Sequence, residues 1–155
     1  MPILSKEEVN SIAEDIMESF QLGELISHEW LKQRLDIQRP VLSDFDNEYD
    51  LWAAIDKYGF DYMGAIDDIR ALLLTTYKYY FKNIRGDGYV LLHPNEQTDF
   101  AKNKFKEDLR RVINNTHNIM TNVNHRAMDA IKLRENADAV AKFSQIKNML
   151  KSVKI

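Results

Sequence analysis

The chain has 155 residues, 45% of them hydrophobic and 29% charged, and it has no cysteine. That is the size of one ordinary domain, long enough to bury a core without staples, and it leaves no disulfide framework and no thiolate metal site. The formal net charge of −3 conceals a strong asymmetry: residues 1–76 hold 6 Lys+Arg against 16 Asp+Glu, and residues 77–155 hold 15 against 8, so the halves stand at −10 and +7.

A basic half next to an acidic one points toward a polyanion or an acidic surface on one side, unless the two halves neutralise each other internally. Residues 1–20 alternate charged and apolar side chains, which is not the pattern of a secretory leader. The longest apolar run, around Ala71 to Leu74, falls far short of the roughly 20 residues needed to cross a bilayer. The expectation is a soluble, unprocessed, cytoplasmic protein with no membrane contact.

Ser5-Lys6-Glu7-Glu8 is a capping-box pattern, and Val9, Ile12, Ala13, Ile16, Met17 and Phe20 follow at helical spacing before a turn at Gly23. Ser27 is placed to cap a short second helix carrying Trp30, Leu31 and Leu35, which must stop near Pro40. Residues Ser43 to Asp50 read as an acidic connector. Leu51, Trp52, Ile55 and Tyr58 then mark a third helix that Gly59 terminates, and a fourth is expected from about Asp61 to Tyr80 with Ile66, Ile69, Leu72, Leu73, Thr76 and Tyr80 as its buried stripe.

Two short apolar arms, Ile84 and then Tyr89 to Leu92, flank Gly86-Asp87-Gly88 and read as a β-hairpin that Pro94 closes. Thr98 is expected to cap a long helix carrying Phe105, Leu109, Val112, Ile113 and Met120, with two more helices following through Ile131 and Val153. The last stripe, Ala139, Phe143, Ile146, Leu150 and Val153, has 4-3-4-3 spacing opposite Lys142, Lys147, Lys151 and Lys154. Such a seam folds back on the domain or pairs with a second copy. Phe143, Ile146, Leu150 and Val153 are therefore the candidate interface of a homodimer.

The stretch from Tyr77 to Leu92, with Arg85-Gly86-Asp87-Gly88-Tyr89 at its centre, resembles the join between recognition helix and wing in the response-regulator output class of winged-helix DNA-binding domains. The resemblance covers roughly residues 25–94. It implies a mainly α fold with a small β-hairpin: a winged helix-turn-helix over residues 1–96, followed by a helical extension over 97–155 that serves dimerisation. It implies double-stranded DNA as the partner. Gly86 and Gly88 supply positive φ at the wing turn, Tyr89 anchors the wing, and Lys78, Lys82 and Arg85 form a basic edge that meets phosphate or the minor groove. Lys102, Lys106, Arg110 and Arg111 extend that footprint. The order Ile26-Ser27-His28-Glu29-Trp30-Leu31, the hairpin, then Pro94-Asn95-Glu96-Gln97-Thr98 is also similar, more weakly, to small phage- or plasmid-borne proteins of unassigned role.

One feature departs from that pattern. Asp61, Asp67 and Asp68 are expected near the start of the presumed recognition helix, where carboxylates repel phosphate. Either this turn faces away from DNA, or the fold serves as a protein-interaction module that offers its acidic half to a host or viral protein.

Other motifs are weaker. Asp44, Asp46, Glu48 and Asp50 alternate like calcium-loop ligands, but Tyr49 stands where the turn glycine belongs and Ile55 where the bidentate Glu belongs, so a solvated acidic loop is expected. His117 and His125 are not in ligand spacing on one helix face, and His28 and His93 lie beside a helix start and a hairpin end, so no metal is expected. Trp30, Trp52, Tyr77, Tyr79 and Tyr80 read as core and rim, not as a base-stacking platform. The glycosylation triplet Asn114-Asn115-Thr116 is idle in a cytosolic protein. No nucleophile elbow, phosphate-cradling glycine loop or framed carboxylate pair is present in the sequence, and the expectation is a non-enzyme without cofactor, acting in transcription regulation for a phage or mobile element.

Overall fold

A computed structural model describes residues 4–152, with side chains described through residue 150. It is mostly helical with a small three-stranded antiparallel sheet. Two compact units divide the chain, residues 1–97 and residues 98–155.

The first unit begins with α1 (Lys6–Ser19), closed at its start by the capping box in which Ser5 accepts from the Glu8 backbone N–H and the Glu8 carboxylate accepts from that of Ser5. Those bonds hold the Glu8 carboxyl below its usual range. Val9, Ile12, Ala13 and Ile16 form its buried stripe. After the Gly23 turn (φ +81°) comes β1 (Ile26–Ser27), whose Ser27 hydroxyl accepts from Trp30 N–H and caps α2 (His28–Arg34).

A 3-10 turn at Leu42–Asp44 leads to α3 (Glu48–Leu72), capped by Asn47. The helix runs straight through Gly59, so the two helices expected here are one. Gly59 keeps a negative φ, and a helical glycine costs only about 1 kcal/mol relative to alanine. Burial of Tyr62, Ala65, Ile66 and Ile69 just beyond it outweighs that cost.

The helix does not continue to Tyr80 either: it loosens into a π turn at Leu73–Tyr77 and stops at Lys78, which is left-handed (φ +65°). Of the expected stripe Ile66, Ile69 and Leu73 are buried, Leu72 is half-buried, and Thr76 is exposed. Asp61, Asp67 and Asp68 consequently fall in the second half of α3, not near its start; Glu48 and Asp50 occupy the first turn, where carboxylates favour the helix dipole.

The expected hairpin is β2 (Phe81–Ile84) and β3 (Gly88–Leu91), paired Phe81 to Leu91 and Ile84 to Gly88. β1 adds to its far arm, Ile26 opposite Tyr89, giving the sheet order β1-β3-β2. Phe81, Tyr89 and Leu91 join Ile26, Leu31, Ile66 and Ile69 in one core.

α4 (Pro94–Thr121) starts at Pro94, so Thr98 lies inside the helix and does not cap it; proline suits a first helical position because its missing N–H is not needed there. Beyond it lie a 3-10 turn (His125–Ala127) and α5 (Ala130–Ser152), one α-helix where two were expected. Among the described residues of 98–150 none is buried. No helix of the described residues is long and apolar enough to cross a membrane.

Candidate functional site

The hairpin tip is a β-turn in which Asp87 N–H donates to Ile84 O at 3.1 Å, with Arg85 and Gly86 between them. Gly86 has φ +88°, the geometry a type II turn demands at its third position. Arg85, just before it, is exposed and makes no ion pair among the described residues.

Gly88 has a different reason to be glycine. It lies against β1, where an added Cβ would stand 2.0 Å from the Ile26 carbonyl oxygen and 2.9 Å from Ser27 Cα, and its φ is +153°. A short strand packs this closely only on a residue with no side chain. His28 N–H also donates to Asp87 O at 3.3 Å, tying the start of α2 to the hairpin turn.

Cross-strand pairing sorts the hairpin into two faces. Tyr89 points to the core, stacked on Phe81 (ring centroids 4.7 Å, 15°) and edge-on to His28 (5.5 Å, 83°). Lys82, opposite Val90, lies on the other face and is half-buried. Lys78 is exposed, and its ammonium donates to Thr75 O, a contact that also favours the end of the preceding helix. Lys78, Lys82 and Arg85 thus belong to one short stretch whose only carboxylate is Asp87.

In the second unit Lys102, Lys106 and Arg110 recur every four residues along one side of α4 and are exposed. Arg111 points about half a turn away and pairs with Asp108 at 2.9 Å. On α5, Phe143 and Leu150 are half-buried and Ile146 is exposed, while Val153 lies outside the described residues.

A cluster against the hairpin's Tyr89 was not legible in the sequence. His28 Nδ1 and the Tyr62 hydroxyl share a hydrogen bond of 2.8 Å, its direction set by the imidazole tautomer. The Lys32 ammonium lies 5.2 and 5.3 Å from the Tyr58 and Tyr62 ring centroids. Arg70 stands 5.8 Å over Tyr89, pairs with Asp67 and donates to Phe81 O. Burial drives the Tyr62 phenol well above its usual range, helped by Tyr89 and Tyr58; burial likewise raises Tyr89 against the opposing pull of Arg70. These groups join α2, α3, β2 and β3. The His28–Tyr62 bond fastens α2 to α3 across 34 positions of the chain.

Comparison with protein-family models, with curated proteins and with solved structures finds no match. Functional argument therefore rests on this chain's own surfaces.

The outward side of α3 bears directly on any groove-reading role. It exposes Tyr49, Trp52, Phe60 and Met63, with Asp56 among them, and its basic neighbour Lys57 is paired with Asp61 at 2.7 Å. Among the described residues, this side of α3 offers a DNA groove no unpaired cation.

Proposed function

We propose that this chain is a non-enzymatic DNA-binding protein of the winged-helix kind that grips duplex DNA by its wing and not by α3. The observation that carries this reading is the hairpin: β1 pairs with its far arm next to the turn, Tyr89 anchors that arm on the core, and Arg85 is exposed in the turn, with Lys82 and Lys78 preceding it in the chain. The helix-strand-helix-helix-hairpin order, with the short strand added to the far arm, agrees with that architecture.

Residues 1–97 hold 9 Lys+Arg against 18 Asp+Glu, a net of −9. Charges more than about 8–10 Å away are largely screened at physiological salt, so this reading rests on the charges nearest the tip and not on the net charge of the unit. Lys102, Lys106 and Arg110 belong to the second unit, which carries 12 Lys+Arg against 6 Asp+Glu and adds sequence-independent attraction. A cytoplasmic regulator of a phage or mobile element is the role this reading suits; the origin rests on the sequence resemblance alone.

The test is duplex retention in a gel shift at low salt. Binding at micromolar protein is expected, weakened by Arg85→Ala; no shift at all removes the reading. The second reading is a protein-interaction module, favoured by the apolar and acidic outer side of α3. Under it duplex DNA is not retained, and Arg85→Glu leaves partner binding unchanged.

A further inference from the structure

Tyr49, Trp52, Phe60 and Met63 are the most conspicuous apolar surface of the first unit, 82%, 63%, 75% and 65% exposed. Together with Asp56 they fall within an arc of about 80° on α3 at 3.6 residues per turn, over a length of about 21 Å. The buried residues Tyr62, Ala65, Ile66 and Ile69 hold the opposite side to the core, and this stripe is left exposed by the described residues.

Its spacing is palindromic. From Tyr49 the steps are 3 to Trp52, 4 to Asp56, 4 to Phe60 and 3 to Met63. A helix turned antiparallel on a copy of itself about Asp56 sets Tyr49 against Met63 and Trp52 against Phe60, twice over, with only Asp56 meeting its own equivalent. That is the self-complementarity a two-fold interface requires, since each residue must meet its reciprocal.

The area suffices. Large aromatic side chains bury about 150–250 Å² each, so three of them and a methionine at these exposures offer about 500 Å² per copy, or ~1,000 Å² in all. That reaches the ~1,000 Å² at which a specific contact separates from incidental ones.

We infer that this side of α3 is the surface on which two copies of the chain pair, antiparallel, about a two-fold axis at Asp56. The paired carboxylates at the axis weaken the contact and hold it reversible, since like charges face each other where the apolar residues exclude water. The pairing is argued from α3 alone and does not rest on DNA binding.

The test uses the full chain in sedimentation equilibrium from 1 to 100 micromolar, with mass rising from 18.2 kDa toward twice that value. Trp52→Ser with Phe60→Ser should weaken association at least a hundredfold while far-UV dichroism and melting stay those of the parent, because both side chains are exposed. Asp56→Asn should tighten it about tenfold, a gain that misfolding cannot imitate. Because the chain has no cysteine, Asp56→Cys should cross-link to a covalent dimer under mild oxidation, and Asn10→Cys on exposed α1 should not. A monomer throughout the range overturns the inference. So does a dimer that ignores the α3 substitutions but is lost on Leu150→Asp, which places the contact on α5.

Discussion

Replacing Gly88 by alanine should disrupt the sheet that carries the hairpin turn. The new methyl would sit 2.0 Å from the Ile26 carbonyl oxygen, far inside contact distance, and both partners are backbone, so no side chain is there to swing aside. Either β1 leaves β3 or β3 twists. Departure loses about two ladder hydrogen bonds at ~0.5–1.5 kcal/mol each and uncovers Ile26, fully buried in the core and worth ~1.5–3 kcal/mol. The expected cost is about 3–5 kcal/mol. For a body of this size that lowers the melting temperature by about 12–40 °C, at roughly 4–8 °C per kcal/mol. Gly86→Ala is the control: nothing lies within 4 Å of its Cβ position, so only the positive φ is charged, about 1–2 kcal/mol. Thermal unfolding followed by circular dichroism compares the two. If Gly88→Ala melts within a few degrees of Gly86→Ala, the close approach of β1 to β3 is not what requires glycine there.

Two further outcomes are expected. Tyr62 and Tyr89 have folded pKa values above the unfolded value near 10, so their neutral forms favour the fold; stability is untouched below pH 10 and falls as pH rises above it, and Tyr62→Phe should make that fall shallower in alkaline urea titrations. Lys78→Gly relieves a left-handed backbone at φ +65° and should raise the melting temperature by a few degrees while weakening duplex binding, which separates the residue's structural part from its electrostatic one.

What the sequence disclosed was local. The capping box at Ser5, the caps at Ser27, the hairpin and the Tyr89 anchor are each written within a few neighbouring residues, and the structure contains them. What it hid depends on contacts distant along the chain. Gly59 carries a stop signal that tertiary burial of Tyr62 to Ile69 overrides. β1 has only two residues, too few for a period, and exists because β3 lies beside it. Gly88 looks like turn chemistry when its neighbour in space, Ile26, is unseen. The His28–Tyr62 bond spans 34 positions, and no motif announces it. The outward side of α3 went unread for the same reason: with the helix split at Gly59, Tyr49, Trp52, Phe60 and Met63 never appear as one stripe.

The central claim, that the wing holds DNA, is tested most directly by the salt dependence of binding. Fluorescence anisotropy of a labelled duplex is measured with the full chain from 50 to 200 mM salt, for the parent and for Lys78→Ala, Lys82→Ala and Arg85→Ala combined. Each phosphate contact contributes about −0.9 to the slope of log K against log salt. The account predicts that the parent's slope is at least about −2.7 and that the triple substitution makes it shallower by about that amount, with the fold retained. A slope unchanged by the triple substitution, or no binding at 50 mM salt, contradicts it.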